Sequence, residues 1–390
     1  MVPNNRLSEL NRWLLSEGRR MPDMAHLLEA LVARLIEVGL QIERATIGAP
    51  LSHPIARSSF SVWSPEEGAE QSEVVWNATG MERLVNSPMY PIHTEGRDVD
   101  WRLGRTPVAG EYGIGPDLRQ KGFTHYIGLA LPFSDGSFKG CTFQTRRTEG
   151  FSEAELDLLR SLVPALSSTV EIFVQKAFAN TLMETFVGPR AGKRVLDGQI
   201  HRGDGEMIRA VVWMSDIRGF TKLAAEREAG KVIDLLNLCF ETVTGAISDE
   251  GGEVLKFIGD AVLGIFPVDG NAAKAVSQAE AAYDRLKAAL ACDDWPRDLR
   301  VGAALHLGEV FYGNIGGQTR LDFTVIGPAV NLVSRVEGLC SELELPFLVT
   351  DDIARLSDRR YAERGRHRLK GVKEPVTVLT PDDSHDAGAA

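Results

Sequence analysis

The chain has 390 residues, with 43 Lys and Arg against 54 Asp and Glu, for a formal charge of -11. That length suits two domains, each with its own core, and that charge repels a nucleic-acid backbone or an anionic membrane, since RRTEG and RGRHRLK are too short to reverse it. Four cysteines (Cys141, Cys239, Cys292, Cys340) lack CxxC spacing, so neither a disulfide framework nor a zinc site is indicated, and a reducing cytoplasm is the expected setting.

The start, MVPNNRLSELNRWLLSEGRR, has no signal-peptide apolar region, and no apolar stretch approaches the length of a membrane span. MAHLLEALVARLIEVGL repeats its apolar residues at helical spacing, while FSVW, EVVW and HYIGLALPF read as strands, so the N-terminal part is α+β. A long helix is predicted from Ser152 to about Val187. Along it Leu159, Val163, Leu166, Val170, Phe173 and Ala177 alternate four and three apart. Two readings of that stripe stay open: a parallel seam with a second copy, starting after the kink expected at Pro164, or packing onto the helix's own domain.

Residues 188–206, GPRAGKRVLDGQIHRGDGE, read as a linker rich in Gly and charge. GPRAGKR lacks the spacing and the Ser/Thr of a phosphate-binding loop, and Arg202-Gly203-Asp204 is a polar turn. The tail, PDDSHDAGAA, is expected to be disordered. The predicted organisation is thus residues 1–178 as a first domain ending in the long helix, 179–206 as a connecting segment, 207–380 as a second domain, and 381–390 as the tail.

IRAVVWMSDIRGFTKLAAE opens the second domain with a strand ending at Asp216, a tight loop, and a helical pattern through about Ser248. EVLKFIGDAVLGIF reads as a hairpin, with strands Val254 to Ile258 and Ala261 to Phe266 and Asp260 at the bend. A helix (271 to 291) and a strand (299 to 307) complete a βαββαβ order, the ferredoxin-like arrangement. In that order the third strand runs antiparallel beside the first, so Asp216 and Asp260, 44 residues apart, meet at one edge. Two carboxylates brought together repel unless a cation lies between them, and hard oxygen ligands suit magnesium or manganese rather than zinc. The backbone N–H groups of Ile217 to Thr221, which include Gly219 and Phe220, open a helix and suit phosphate oxygens. The plainer alternatives are a helix-capping Asp216, a turn Asp260 and a solvated Lys256. His306, in GAALHLGEV, is expected to be a satisfied structural histidine.

DIRGFT, KFIGDAVLGIF, DFTVIGPAVNLVSR and LKGV, in that order, resemble the motifs of class III nucleotidyl cyclases over about residues 207–380. The resemblance implies an α+β, ferredoxin-like domain acting as a homodimer, with two Mg2+ or Mn2+ ions per active site. Asp216 and Asp260 match the metal ligands, joined by the backbone carbonyl of Ile217. Lys256 and Thr324 match the residues that read the purine, Asn331 and Arg335 those that orient the ribose and stabilise the reacting phosphate, and Lys370 the lysine that holds the triphosphate; Gly219, Phe220 and Thr221 accompany it. In that family each site is shared, one subunit supplying the acids and its partner the remaining groups. Adenine offers an acceptor at N1 and a donor at its amino group, which a lysine donor and a threonine acceptor suit, so ATP is the expected substrate and cyclic AMP the product. A guanylate cyclase of the same fold, and a degenerate nucleotide-binding scaffold, stay open as alternatives. In the first domain, GLALPFSDGSFKGCTFQTRRTEGFSEAELDLLRSL resembles the closing strand, hairpin, strand and helix of GAF domains, which implies a sensor of an unknown small molecule regulating the second domain.

Overall fold

A computed structural model describes residues 4–50, 57–75, 78–104 and 111–382. From residue 383 onward the expected disordered tail lies outside the described residues. The chain divides into two units, Met1–Thr181 and Leu182–Ala390. Among the described residues no helix is long and apolar enough to cross a membrane.

The first unit is built on a six-stranded antiparallel sheet of order β3-β2-β1-β6-β5-β4. Its strands are β1 (Arg44–Pro50), β2 (Arg57–Ser64), β3 (Gly68–Val75), β4 (Val99–Arg102), β5 (His125–Pro132) and β6 (Phe138–Thr145). HYIGLALPF reads as a continuous apolar run because β5 is covered on both faces. Ile127, Leu129 and Leu131 point into a core shared with the helices Asn4–Ser16, Met24–Glu37 and Glu153–Val187, while Tyr126 and Ala130 point into a smaller cluster with Ile92, Leu118 and Phe123.

The helix Glu153–Val187 runs through Pro164, with no break there. Leu159, Leu166, Val170 and Phe173 are buried in the unit's own core, and the Thr169 hydroxyl donates to the Leu14 carbonyl at 3.1 Å. From Leu159 to Phe173 the stripe therefore packs onto its own domain, the second of the two readings, and these side chains are not available for a seam with a second copy.

In the second unit the strands are β7 (Gly205–Ile217), β8 (Glu253–Ile258), β9 (Ala261–Pro267), β10 (Val301–Gly316), β11 (Leu321–Ile326), β12 (Phe347–Thr350), β13 (Tyr361–His367) and β14 (Val376–Pro381). They form one sheet of order β13-β14-β12-β10-β7-β9-β8, with β11 paired to β10. The run β10-β7-β9-β8 is the expected ferredoxin-like core, with helices Phe220–Glu226 and Ala229–Asp249 after β7 and Ala272–Leu290 after β9. Alternate residues of β7 serve two cores: Val211 and Trp213 face the helices Ala229–Asp249 and Ala272–Leu290, and Ala210, Val212 and Met214 face the helix Pro328–Glu342.

Three local expectations change. The strand predicted to end at residue 307 continues to Gly316, because β7 offers a matching ladder from Ile217 opposite Val301 down to Gly205 opposite Gly313. The helical pattern after Asp216 is two helices, divided where Arg227 takes an extended conformation. The presumed linker contains a helix, Pro189–Leu196, with Pro189 at its first position.

Candidate active site

Asp216 is the penultimate residue of β7, and Asp260 sits in the two-residue turn closed by the Ile258 and Ala261 pair. Because Ser215 is opposite Val262 in the β7/β9 ladder, the strand end and the turn come together, and the two carboxyl groups lie within hydrogen-bonding reach. Burial first, then the hydrogen bond and the charge of Asp260, push the Asp216 carboxyl up to about 7. The Ile217 N–H, donating to Asp216 Oδ1 at 3.0 Å, offsets only part of this. Asp216 does not cap the following helix, whose N-cap is Gly219. The N–H of Arg218 is also engaged, donating to the Arg300 carbonyl at 2.8 Å, so of the five loop donors expected to meet phosphate, those of Gly219, Phe220 and Thr221 stand at the open helix start.

The residues expected to read the purine lie on neighbouring strands. A β-bulge between Val254 and Lys256 re-aims β8 just before the lysine, and the Lys256 ammonium donates to Asp322 Oδ2 of β11 at 3.4 Å. Thr324, two residues further along β11 and on the same face, is buried, and its Oγ1 has no hydrogen-bond partner. A buried hydroxyl without a partner is costly, and a ligand polar group would relieve it. His306 is a satisfied histidine, as expected: its Nδ1 is 2.9 Å from Thr350 Oγ1.

The helix Pro328–Glu342 presents Asn331 and Arg335, one turn apart, to solvent, and buries Val333, Val336, Glu337 and Cys340. Glu337 faces the acid pair. Burial and the charge of Asp216 raise its carboxyl to about 7, against the opposing charge of Arg218. The approach is allowed by Gly302, the cross-strand partner of Asp216, where a Cβ would come 2.9 Å from Glu337 Oε1. Two residues along a helix turn the side chain by about 200°. Arg335 therefore points away from the carboxylates that Glu337 faces. Lys370 is exposed in the connection between β13 and β14, and neither it nor Arg335 has an ion-pair partner among the described residues.

The family model for the adenylate and guanylate cyclase catalytic domain matches residues 206–380. Residues 206–380 are thus similar to a cyclase catalytic domain. It is 29% identical over 237 residues to an adenylate cyclase of Anabaena cylindrica, covering 58% of this chain and 47% of that protein. It is also 29% identical over 202 residues to the terminal-differentiation specific adenylate cyclase of Dictyostelium discoideum, covering 51% of this chain and 9% of that one. The chain thus spans less than half the length of either relative. Among solved structures, the adenylyl cyclase CyaB from P. aeruginosa shares 29% identity at a TM-score of 0.40, over 46% of this chain and 96% of that one.

Within the cyclase domain, two residues near the expected site, Glu337 and Asp322, are absent from the motif-based expectations. Glu337 has a legible signal: it falls four residues after Val333 and three before Cys340, on the helix's apolar stripe, where a charge is out of place. Asp322 opens the motif DFTVIGPAVNLVSR, but its pairing with Lys256 is not readable there, because only the fold brings β11 against β8. Cys239 also lies near the acids, and burial and the charges of Asp260 and Asp216 push its thiol up to about 12. Among the described residues no group of three or more His, Cys, Asp or Glu side chains is arranged to hold a metal. The two mutually repelling carboxylates of Asp216 and Asp260 would be the donor set, which fits a hard cation that takes its remaining oxygens from water and phosphate.

Proposed function

We propose that the protein is an adenylate cyclase that converts ATP to 3′,5′-cyclic AMP and pyrophosphate at sites shared between the two subunits of a homodimer. The observation that carries this reading is the meeting of Asp216 and Asp260, half-buried and mutually repelling, with no cation of their own chain among the groups that shift Asp216. Two Mg2+ or Mn2+ ions bound there would lower the pKa of the ribose 3′-hydroxyl and neutralise the phosphates. Asp216, Asp260 and the Ile217 carbonyl would hold them. The open N–H groups of Gly219, Phe220 and Thr221 would receive phosphate oxygens.

The remaining roles fall to cationic and polar groups. Arg335 would stabilise charge on the α-phosphate as the 3′-oxygen attacks and pyrophosphate leaves, Asn331 would orient the ribose, and Lys370 would hold the triphosphate. Lys256 would donate to adenine N1, and the unpartnered Thr324 hydroxyl would accept from the amino group. That Arg335 points away from its own acid pair supports a site completed by a second copy. So do Ile233, Phe257, Ile258 and Ile326, large apolar side chains exposed on the same unit. The first unit, which ends in the antiparallel β5/β6 pair followed by a helix, is read as a GAF-like sensor of a small molecule that regulates the second.

Purified full-length protein incubated with ATP and Mn2+ is expected to yield cyclic AMP, and Asp260→Ala to yield none. A wild-type protein that binds ATP without product would favour the scaffold reading instead. Preference for GTP over ATP would replace adenine by guanine as the base.

A further inference from the structure

The helix Pro189–Leu196 lies just ahead of the cyclase domain, and its N-terminus is capped from far away in sequence. Gly188, its N-cap, has no side chain to offer, and the Ala191 N–H donates instead to Glu253 Oε1 at 3.2 Å. Glu253 is only 3% exposed. A carboxylate in that position is costly unless its oxygens are satisfied. They are: the Tyr312 hydroxyl lies 2.9 Å from each of them. Arg194, one turn along the same helix, places its guanidinium 4.9 Å from the Tyr312 ring centroid and donates to Glu206 Oε1 at 2.6 Å. Gly192 completes the fit, since a Cβ there would come 2.8 Å from the Met183 carbonyl. Three elements distant in sequence, the helix, β8 and β10, thus close on one buried carboxylate.

Both strands that meet at this clasp lead to base-reading residues. Glu253 begins β8, which bulges before Lys256 three residues later. Tyr312 in β10 pairs with Val325, its neighbour Gly313 pairs with Thr324, and the Tyr312 ring packs edge-on against Phe323 at 4.8 Å. Resting on the cyclase reading above, we propose that Glu253 and Tyr312 are positioning residues for base recognition: they fix the roots of the strands carrying Lys256 and Thr324, and make that spacing depend on the docking of residues 182–196. The opening segment of the second unit would then act on substrate affinity rather than on the metal-binding acids.

The test uses the full chain carrying Tyr312→Phe, which removes one hydroxyl and no bulk, and Glu253→Gln, which keeps shape and an acceptor for Ala191. Both are compared with wild type by hydrogen exchange over residues 189–196 and 253–258 and by steady-state kinetics with ATP. Tyr312→Phe is expected to raise KM about tenfold, the order of one lost hydrogen bond to a charged group, while kcat stays within about twofold. Exchange should rise in both segments together. Glu253→Gln is expected to do the same to a lesser degree. Faster exchange in residues 189–196 alone, or in both segments with KM unmoved, would overturn the proposal and leave the pair as packing only. Should Tyr312→Phe not fold, Glu253→Gln decides by the same criteria. A wild-type protein without turnover would remove the cyclase reading, yet the exchange measurement would still decide whether the clasp couples the helix to β8.

Discussion

The acidic edge and the outer face of the helix Pro328–Glu342 belong to one domain and are built in opposite ways. At the edge, Asp216, Asp260 and Glu337 crowd together half-buried or buried, and burial and mutual charge raise Asp216 and Glu337. On the helix, Arg335 and Asn331 stand in solvent, and Arg335 lacks an ionic partner among the described residues. The difference teaches that one copy of the chain holds charge it does not neutralise in one place and cation it does not use in another. In the proposed homodimer, complementation between copies would satisfy both.

Removing either half should have the largest effect. Asp260→Ala and Arg335→Ala are each expected to lower kcat by at least about 10²-fold in a coupled cyclic AMP assay, with circular dichroism unchanged. Retained activity in either would break the comparison. A smaller effect belongs to the base side: Lys256→Ala and Thr324→Val should each raise KM for ATP by about tenfold and narrow the preference for ATP over GTP.

The pH dependence sharpens the acidic half. Because Asp216 is raised toward 7, the folded protein keeps a proton that the unfolded chain has lost, and this site's contribution to stability declines as pH rises from the ordinary carboxylate value toward 7. A divalent ion must displace that proton. Mn2+ affinity measured by calorimetry should therefore climb with pH up to about 7, with proton release, and Asp216→Asn should abolish the release. The smallest effect is that of Glu337→Gln. Wild-type Glu337 is strained above about 7, so the substitution should raise Tm by roughly 2–4 °C at pH 8 and leave it unchanged near pH 4, where Glu337 is already protonated.

Local and mid-range features of this protein are legible in its amino-acid order. The βαββαβ succession follows from apolar patterning and turn residues, and the nearness of Asp216 and Asp260 follows from that succession. What is not legible there depends on tertiary context. Whether Leu159 to Phe173 face a second copy or their own core is not decided by spacing, because both partners want the same apolar stripe. The helix Pro189–Leu196 is hidden in a segment rich in Gly and charge, since its capping group comes from Glu253. Asp322 becomes visible as the partner of Lys256 only once β11 lies against β8.

The most direct measurement mixes the two inactive variants. Asp260→Ala and Arg335→Ala proteins, combined in equal amounts with subunit exchange verified by mass spectrometry, should recover about a quarter of wild-type activity, because half the dimers then hold one intact site of two. No recovery despite verified exchange would contradict the shared site.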